Sequence, residues 1–229
     1  MRSENPVLSN RMLERMSAHS TAERMTVNGT FHKTALLLAA LCVPAFYTWH
    51  LYFQNYNVGA VMPYFFGGLI GGLVLCMILC FKMEWAPFLS IPYALCEGLV
   101  LGGLSAIIDR RYPGIAIQAV GLTFGIFVTM LVVYRARILQ ATPAFVKGVV
   151  ICTVGVGLLY MVSMLMNAFG GRMPYIHDSG LIGIAFSLFV VGLAAFNFIL
   201  DFNLIETSAE QGAPKWMEWY GAFALLVTL

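Results

Sequence analysis

Charged residues are scarce in this sequence. Asp, Glu, Lys and Arg make up 10% of its 229 residues, whereas 60% are hydrophobic. A typical soluble domain is nearer a quarter charged, and a soluble fold of this length could not hide so much apolar surface in one core. The uncharged runs reach roughly 20 residues, which is enough to cross a ~30 Å hydrocarbon layer. The composition therefore predicts an all-α integral membrane protein.

The sequence also lacks the residue clusters that nucleic-acid-binding proteins and zinc sites require. The net charge is +2 and no basic run is dense enough to follow phosphates, which argues against nucleic-acid binding. The five cysteines lie in apolar stretches, and no histidine or second cysteine pair completes a zinc set. They are interpreted as buried thiols that act as small hydrophobes, and no metal site is assigned.

Catalytic motifs are weak. No phosphate- or dinucleotide-binding glycine pattern follows a strand. Ser105 and His177 suggest an intramembrane serine protease, but a lone Gly-x-Ser-x element is weak support. A di-aspartyl protease would need a second intramembrane aspartate beside Asp201. We therefore expect no enzymatic activity and no resident cofactor.

Hydrophobic segments separated by polar connections predict a bundle of about seven transmembrane helices. Residues 1–30 form a polar, basic tail, and residues 31–229 form the membrane domain. The first span, Phe31 to Phe53, ends in aromatic residues and is too far from the start for a signal peptide. Later spans are expected at Ala60–Phe81, Trp85–Ile108, Gly114–Tyr134, Phe145–Phe169 and Gly180–Leu200, with a final one from near Trp216.

Glycines recur at the i,i+4 spacing that lets membrane helices approach closely. Two interpretations are open, namely an oligomer seam and close packing within one bundle, and the second is favoured. The pairs are Gly67/Gly71, Gly68/Gly72, Gly98/Gly102 and Gly121/Gly125.

A few acidic residues fall in or beside the predicted spans, where an ionisable group suggests function. Glu97 lies in mid-span and must pair, become protonated or face a water-filled cavity. Asp201 closes the predicted sixth span and is either functional or an interfacial carboxylate. Asp178 is explained by N-capping, and Asp109 by a surface pair with Arg110.

Three segments resemble the Bax-inhibitor family of seven-span membrane proteins, in a bacterial, YccA-like subgroup. The resemblance runs from about residue 30 to the end and depends on the order and spacing of mostly apolar motifs. The segments are Glu-Gly-Leu-Val-Leu-Gly-Gly-Leu-Ser from Glu97, Ile-Gln-Ala-Val-Gly-Leu-Thr-Phe-Gly-Ile-Phe from Ile117, and Phe186-Ser187-Leu188-Phe189 leading to Leu-Asp-Phe-Asn-Leu-Ile from Leu200.

This resemblance implies a pH-sensitive calcium leak, gated by protonation of two carboxylates at the cytoplasmic mouth. One of them matches Asp201. Independently of the resemblance, the mid-span position of Glu97 makes it a candidate carboxylate on the ion path. Arg135, Arg137 and Glu206 are candidate charge partners, and Ca²⁺ is the permeant ion. The alternatives are a proton-coupled secondary transporter and a non-conducting scaffold for membrane proteases or stress regulators. The expected partners are the lipid bilayer, cations and another membrane protein.

The second carboxylate of the family would lie on the seventh helix beyond Leu229. At ~1.5 Å per residue, the residues from Trp219 onward span about 16 Å, or half a bilayer. We therefore expect the natural chain to continue, and a version extended by about ten residues, enough to complete this helix, to gate better than this one.

Lysine and arginine residues predict the orientation in a bacterial cytoplasmic membrane. With the N-terminus inside, the tail and even-numbered loops hold ten of them, and the opposite side holds Arg110, Arg111 and Arg172. Single cysteines replacing Ser17 and Gln140, in a cysteine-free background, should therefore resist an impermeant thiol reagent in intact cells. Labelling of either cysteine without lysis would contradict the cytoplasmic N-terminus.

Overall fold

A computed structural model describes residues 24–139, 141–169 and 180–229. Within these ranges the chain forms seven α-helices, and a short 3-10 turn at Met83–Trp85 precedes the third. The first six helices are long and apolar enough to cross a membrane, whereas the last has 12 residues. The all-α prediction is confirmed, and the predicted spans are confirmed for six helices. The helices are α1 (Val27–Asn55), α2 (Val58–Phe81), α3 (Ala86–Arg111), α4 (Ile115–Arg135), α5 (Pro143–Ala168), α6 (Leu181–Glu210) and α7 (Met217–Thr228).

Capping residues explain where several helices begin. The Thr26 side chain accepts a hydrogen bond from the Gly29 amide, so α1 starts at Val27, ahead of the predicted Phe31. The last residues of the predicted 1–30 tail are therefore helical. Asn57 caps α2 in the same way. Predictions that concern residues 1–23, Gln140, Arg172, His177 or Asp178 lie outside the described residues.

Helix α6 continues well beyond its predicted end. It was expected to stop at Leu200 but runs to Glu210, so Asp201 lies within the helix rather than at its end. The segment after Asp201 mixes apolar and polar residues, which lowers its hydropathy but leaves the helix intact. Because successive residues turn by about 100°, Glu206 lies roughly 140° around α6 from Asp201, so the two acids lie on different faces of the helix.

The described residues form two compact units. Unit 1 contains the chain up to Ala116 together with Ile205–Leu226, and unit 2 contains Ile117–Leu204 together with Val227–Leu229. In unit 1, the side chains of Leu37, Leu79 and Phe223 are buried in a core that α1, α2, α3 and α7 share. The Tyr93 and Phe223 rings meet edge to face with centroids 4.9 Å apart.

Unit 2 is held by aromatic side chains between α4 and α6. The Phe127 ring contacts both Phe198 and Phe202, with centroids 5.3 and 5.7 Å apart, and Tyr134 also reaches Phe202. Most apolar side chains of α4 and α5 are exposed within the described residues. Such a surface suits contact with lipid, as expected for membrane-spanning helices.

Glycines bring α3 close to its neighbours in unit 1. A Cβ added at Gly98 would overlap the Leu41 carbonyl oxygen, and one at Gly102 would overlap that of Ala45. On α2, a Cβ at Gly68 would lie 2.6 Å from the Cys96 carbonyl oxygen. The pairs Gly68/Gly72 and Gly98/Gly102 therefore serve packing within the unit. Gly67, Gly121 and Gly125 have no atom within 4 Å of such a Cβ, among the residues described.

These contacts predict different effects for the same substitution at two glycines. Gly102→Ala should lower stability by about 1–3 kcal/mol, because the new methyl group overlaps α1 backbone and the Thr48 hydroxyl. Gly125→Ala is the matched control and should leave stability unchanged or slightly raised, because alanine favours the helix. Thermal unfolding in detergent measures both variants. Equal stability of the two would contradict the packing described for α3.

Candidate functional site

Glu97 lies near the middle of α3 and is half-buried. Its Oε2 atom would be 3.5 Å from a Cβ added at Gly72, so the small residues of α2 leave room for the carboxylate. Neighbouring Cys96 fills the adjacent position, with its Sγ 3.1 Å from a Cβ at Gly71. Within the described residues no hydrogen bond or salt bridge holds Glu97. It is thus a mid-span carboxylate with polarisable thiols nearby and, in the part of the chain that the structure describes, no cation paired with it.

Asp201 is half-buried on α6 and has a specific partner. Its Oδ2 accepts a hydrogen bond from the Thr228 hydroxyl over 2.6 Å, and Thr228 is the last residue of α7. The preceding turn and the next residue supply buried Phe198 and Phe202. Asp201 therefore combines a hydroxyl partner with aromatic neighbours on its own helix.

The arginines predicted as charge partners of Asp201 form no salt bridge with it among the described residues. Arg135 ends α4, and Arg137 follows with a left-handed backbone at φ 58°. A basic residue at the C-terminal end of a helix interacts favourably with the helix dipole. This interaction accounts for the position of Arg135 without a contact to Asp201. Sequence analysis did not identify Thr228 as a partner of Asp201. The available indication was that Thr228 is a single polar residue at the end of an apolar run.

A second residue that sequence analysis missed, the carboxylate Glu218, lies at the start of α7. Glu218 is 3% exposed, and its Oε1 accepts hydrogen bonds of 2.9 Å from both the Thr26 amide and the Thr26 hydroxyl. Its Oε2 accepts a hydrogen bond from Lys33 on α1. A lysine in the first span and a glutamate in the last segment were the available signal. Helix spacing relates only residues of the same helix, so it could not pair them.

The hydrogen bonds set the protonation state of Glu218. Burial by itself raises the pKa of this carboxyl, but hydrogen bonds from Lys33 and Thr26 outweigh burial and lower the pKa. A group with a lowered pKa stabilises the fold at neutral pH and loses that contribution as the pH falls through its folded-state pKa. Glu218 is therefore ionised near neutral pH.

Other candidates have structural roles. Asp109 accepts a hydrogen bond from the Gly114 amide at 2.9 Å, and Arg110 donates to the Tyr56 carbonyl, so the predicted Asp109–Arg110 pair is wrong. Ser105 lies on α3, while His177 is outside the described residues.

All five cysteines lie within the described residues. No cysteine is buried: Cys42, Cys80 and Cys152 are exposed, while Cys76 and Cys96 are intermediate. The predicted buried thiols are therefore wrong, because apolar runs in a membrane protein also face outward. No group of three or more His, Cys, Asp or Glu suited to a metal ion occurs in the described parts of the chain.

Comparison with protein families agrees with this architecture. The model of the Bax inhibitor 1 like family matches residues 5–229. Comparison with curated proteins and with solved structures gave no significant match. Together with six helices of membrane-spanning length, the family match makes this an integral membrane protein. Because the match covers nearly the whole sequence, the chain belongs to the Bax inhibitor 1 like family.

Proposed function

We propose that this protein is a pH-sensitive cation leak of the Bax-inhibitor type, with Ca²⁺ as the permeant ion and Asp201 as the gating carboxylate. The observation that carries the proposal is the hydrogen bond from Thr228 at the end of α7 to Asp201 within α6. In this proposal the protein lies in a bacterial cytoplasmic membrane with its N-terminus in the cytoplasm, which agrees with the distribution of its basic residues.

The charge of Asp201 controls the strength of this contact. A hydroxyl that donates to an ionised carboxylate makes a charge-assisted hydrogen bond, roughly twice as strong as a neutral one. Protonation of Asp201 would weaken the bond and remove a negative charge from the apolar surroundings of Phe198 and Phe202. Packed helices respond to such a change by moving between discrete arrangements. A proton can thereby open or close the path.

Glu97 supplies the preference for cations. Carboxylate oxygen is a ligand that Ca²⁺ favours, and a negative charge at mid-span attracts cations and repels anions. No arginine or lysine pairs with Glu97 in the described residues, so its charge is available to a passing ion. The glycines of α2 leave space beside it. These features support a role on the ion path rather than in a structural ion pair.

The gating role of Asp201 predicts the response of ion flux to pH. In proteoliposomes, Asp201→Asn should abolish the pH dependence of Ca²⁺ flux, because asparagine does not titrate. Thr228→Val should keep a pH response but move its midpoint to higher pH, because the ionised carboxylate loses its donor. Glu210→Gln, an exposed acid at the end of the same helix, is the control and should leave the profile unchanged. A normal pH profile in Asp201→Asn would reduce Asp201 to an interfacial anchor.

The role of Glu97 predicts a loss of flux without a loss of folding. Glu97→Gln keeps the shape but removes the charge, so divalent flux should fall severalfold at unchanged expression and thermal stability. Glu84→Gln, in the exposed turn before α3, is the matched control. Unchanged flux in Glu97→Gln would return Glu97 to a structural role. The same assay separates the alternatives, since a saturable, proton-coupled organic substrate favours a transporter and absence of any flux favours a scaffold.

A further inference from the structure

The N-terminus of α1 carries half of a capping box. In this motif the side chain of the cap residue accepts a hydrogen bond from the backbone amide of the third helical residue. In return, the side chain of a Glu or Gln at that third position accepts a hydrogen bond from the backbone amide of the cap residue. Thr26 performs the first part by accepting the Gly29 amide at 3.0 Å. The third helical residue is Gly29, which has no side chain to perform the second. The Thr26 amide donates instead to Glu218, 192 residues further along the chain.

Gly29 and Glu218 are sterically complementary. A Cβ added at Gly29 would overlap the carboxylate of Glu218, including Oε1, Oε2 and Cδ. The missing side chain at the third position of α1 is therefore what admits the carboxylate from α7. A glycine near the start of a helix costs up to ~1 kcal/mol relative to alanine, and this contact is a reason for its presence.

The same carboxylate also supplies negative charge to the positive end of α1. The first turn of α1 contains no acidic residue. Glu218 lies at this end and is paired with Lys33, whose Nζ is also 5.4 Å from the centre of the Trp219 ring. Favourable charge at a helix N-terminus stabilises the helix. Both carboxylate oxygens are thus in use, one as a cap and one in an ion pair.

A short segment before α1 is held at the same place. The Met25 amide donates to the Ala213 carbonyl over 2.8 Å, and Arg24 forms an antiparallel bridge with Pro214. We call Arg24–Thr26 the N-terminal strap. It lies against the connection between α6 and α7, directly beside the Glu218 cap, and all of these residues belong to unit 1.

We propose that Glu218 is a latch that completes the capping box of α1 in trans, so that the start of α1 and the docking of the N-terminal strap both depend on α7. Displacement of α7 would uncap α1, leave Lys33 without its partner and release the strap. The latch is a conformational device of the fold, and it does not depend on whether the protein conducts ions.

A carboxylate moved from α7 to α1 tests the trans cap. Glu218→Ala should lower the thermal unfolding midpoint by removing the cap, and Gly29→Glu should lower it by overlap with Glu218. The double variant should recover most of the loss, because the carboxylate introduced at position 29 would complete a conventional capping box with Thr26 and pair with Lys33 at i,i+4. Effects that simply add in the double variant would overturn the proposal.

Cross-linking of the strap tests the dependence on α7. In a non-hydrogen-bonded antiparallel pair, the Cα atoms of opposite residues lie about 4.5 Å apart, which is within the Cα–Cα range of disulfides. Arg24→Cys with Pro214→Cys, in a background without the five native cysteines, should therefore oxidise readily. The rate should fall severalfold in Glu218→Ala, and it should stay low in the double variant even though the double variant recovers thermal stability. Glu210→Ala, an exposed acid, is the control and should keep the parent rate.

The two measurements separate a latch from a purely structural ion pair. Parent cross-linking rates in the double variant would show that α1 and the strap do not need the α7 carboxylate, and the proposal would be wrong. If Glu218→Ala alone does not accumulate, the double variant still decides. The double variant should accumulate if loss of the cap is what prevents Glu218→Ala from accumulating. If neither variant accumulates, the proposal is contradicted. None of these outcomes depends on ion flux.

Discussion

The close approach of backbones at the glycines of α3 is the constraint on which unit 1 depends. At Gly98 and Gly102 there is no room for even a methyl group between α3 and α1. In lipid, helices gain little from hydrophobic association, and packing of backbone against backbone provides much of the attraction. This approach fixes the rotation of α3, and with it the direction of the adjacent Glu97 toward the small residues of α2.

The buried and half-buried acids differ chiefly in what holds them. Glu218 has two donors from Thr26 and an ion pair with Lys33, which makes it a stable structural charge. Asp201 has one hydroxyl, and Glu97 has no hydrogen bond or salt bridge within the described residues. A charge with many donors is costly to neutralise, whereas a charge with few donors responds easily to a proton or a cation. In the proposed function, the structural role of Glu218 and the functional roles of Asp201 and Glu97 follow from this difference in partners.

Helix α7 makes polar contacts near both its first and its last described residues. Glu218 at its start accepts hydrogen bonds from the beginning of α1, and Thr228 at its end donates to Asp201. Between them, Phe223 and Leu226 are buried against the core of unit 1. The polar contacts of α7 thus hold two of the three acids considered above.

The sequence by itself determined the class of protein and the approximate position of six spans, because hydropathy is a local property summed over consecutive residues. The tertiary structure decided what the spacing of residues cannot express. The pairs Gly98/Gly102 and Gly121/Gly125 have the same spacing, but the first meets α1 while the second faces open space in the described residues. A repeat identifies a helix face, but it does not identify the neighbour of that face. For the same reason the pairing of Lys33 with Glu218, residues 185 apart, depended on helix packing and not on any pattern along the chain.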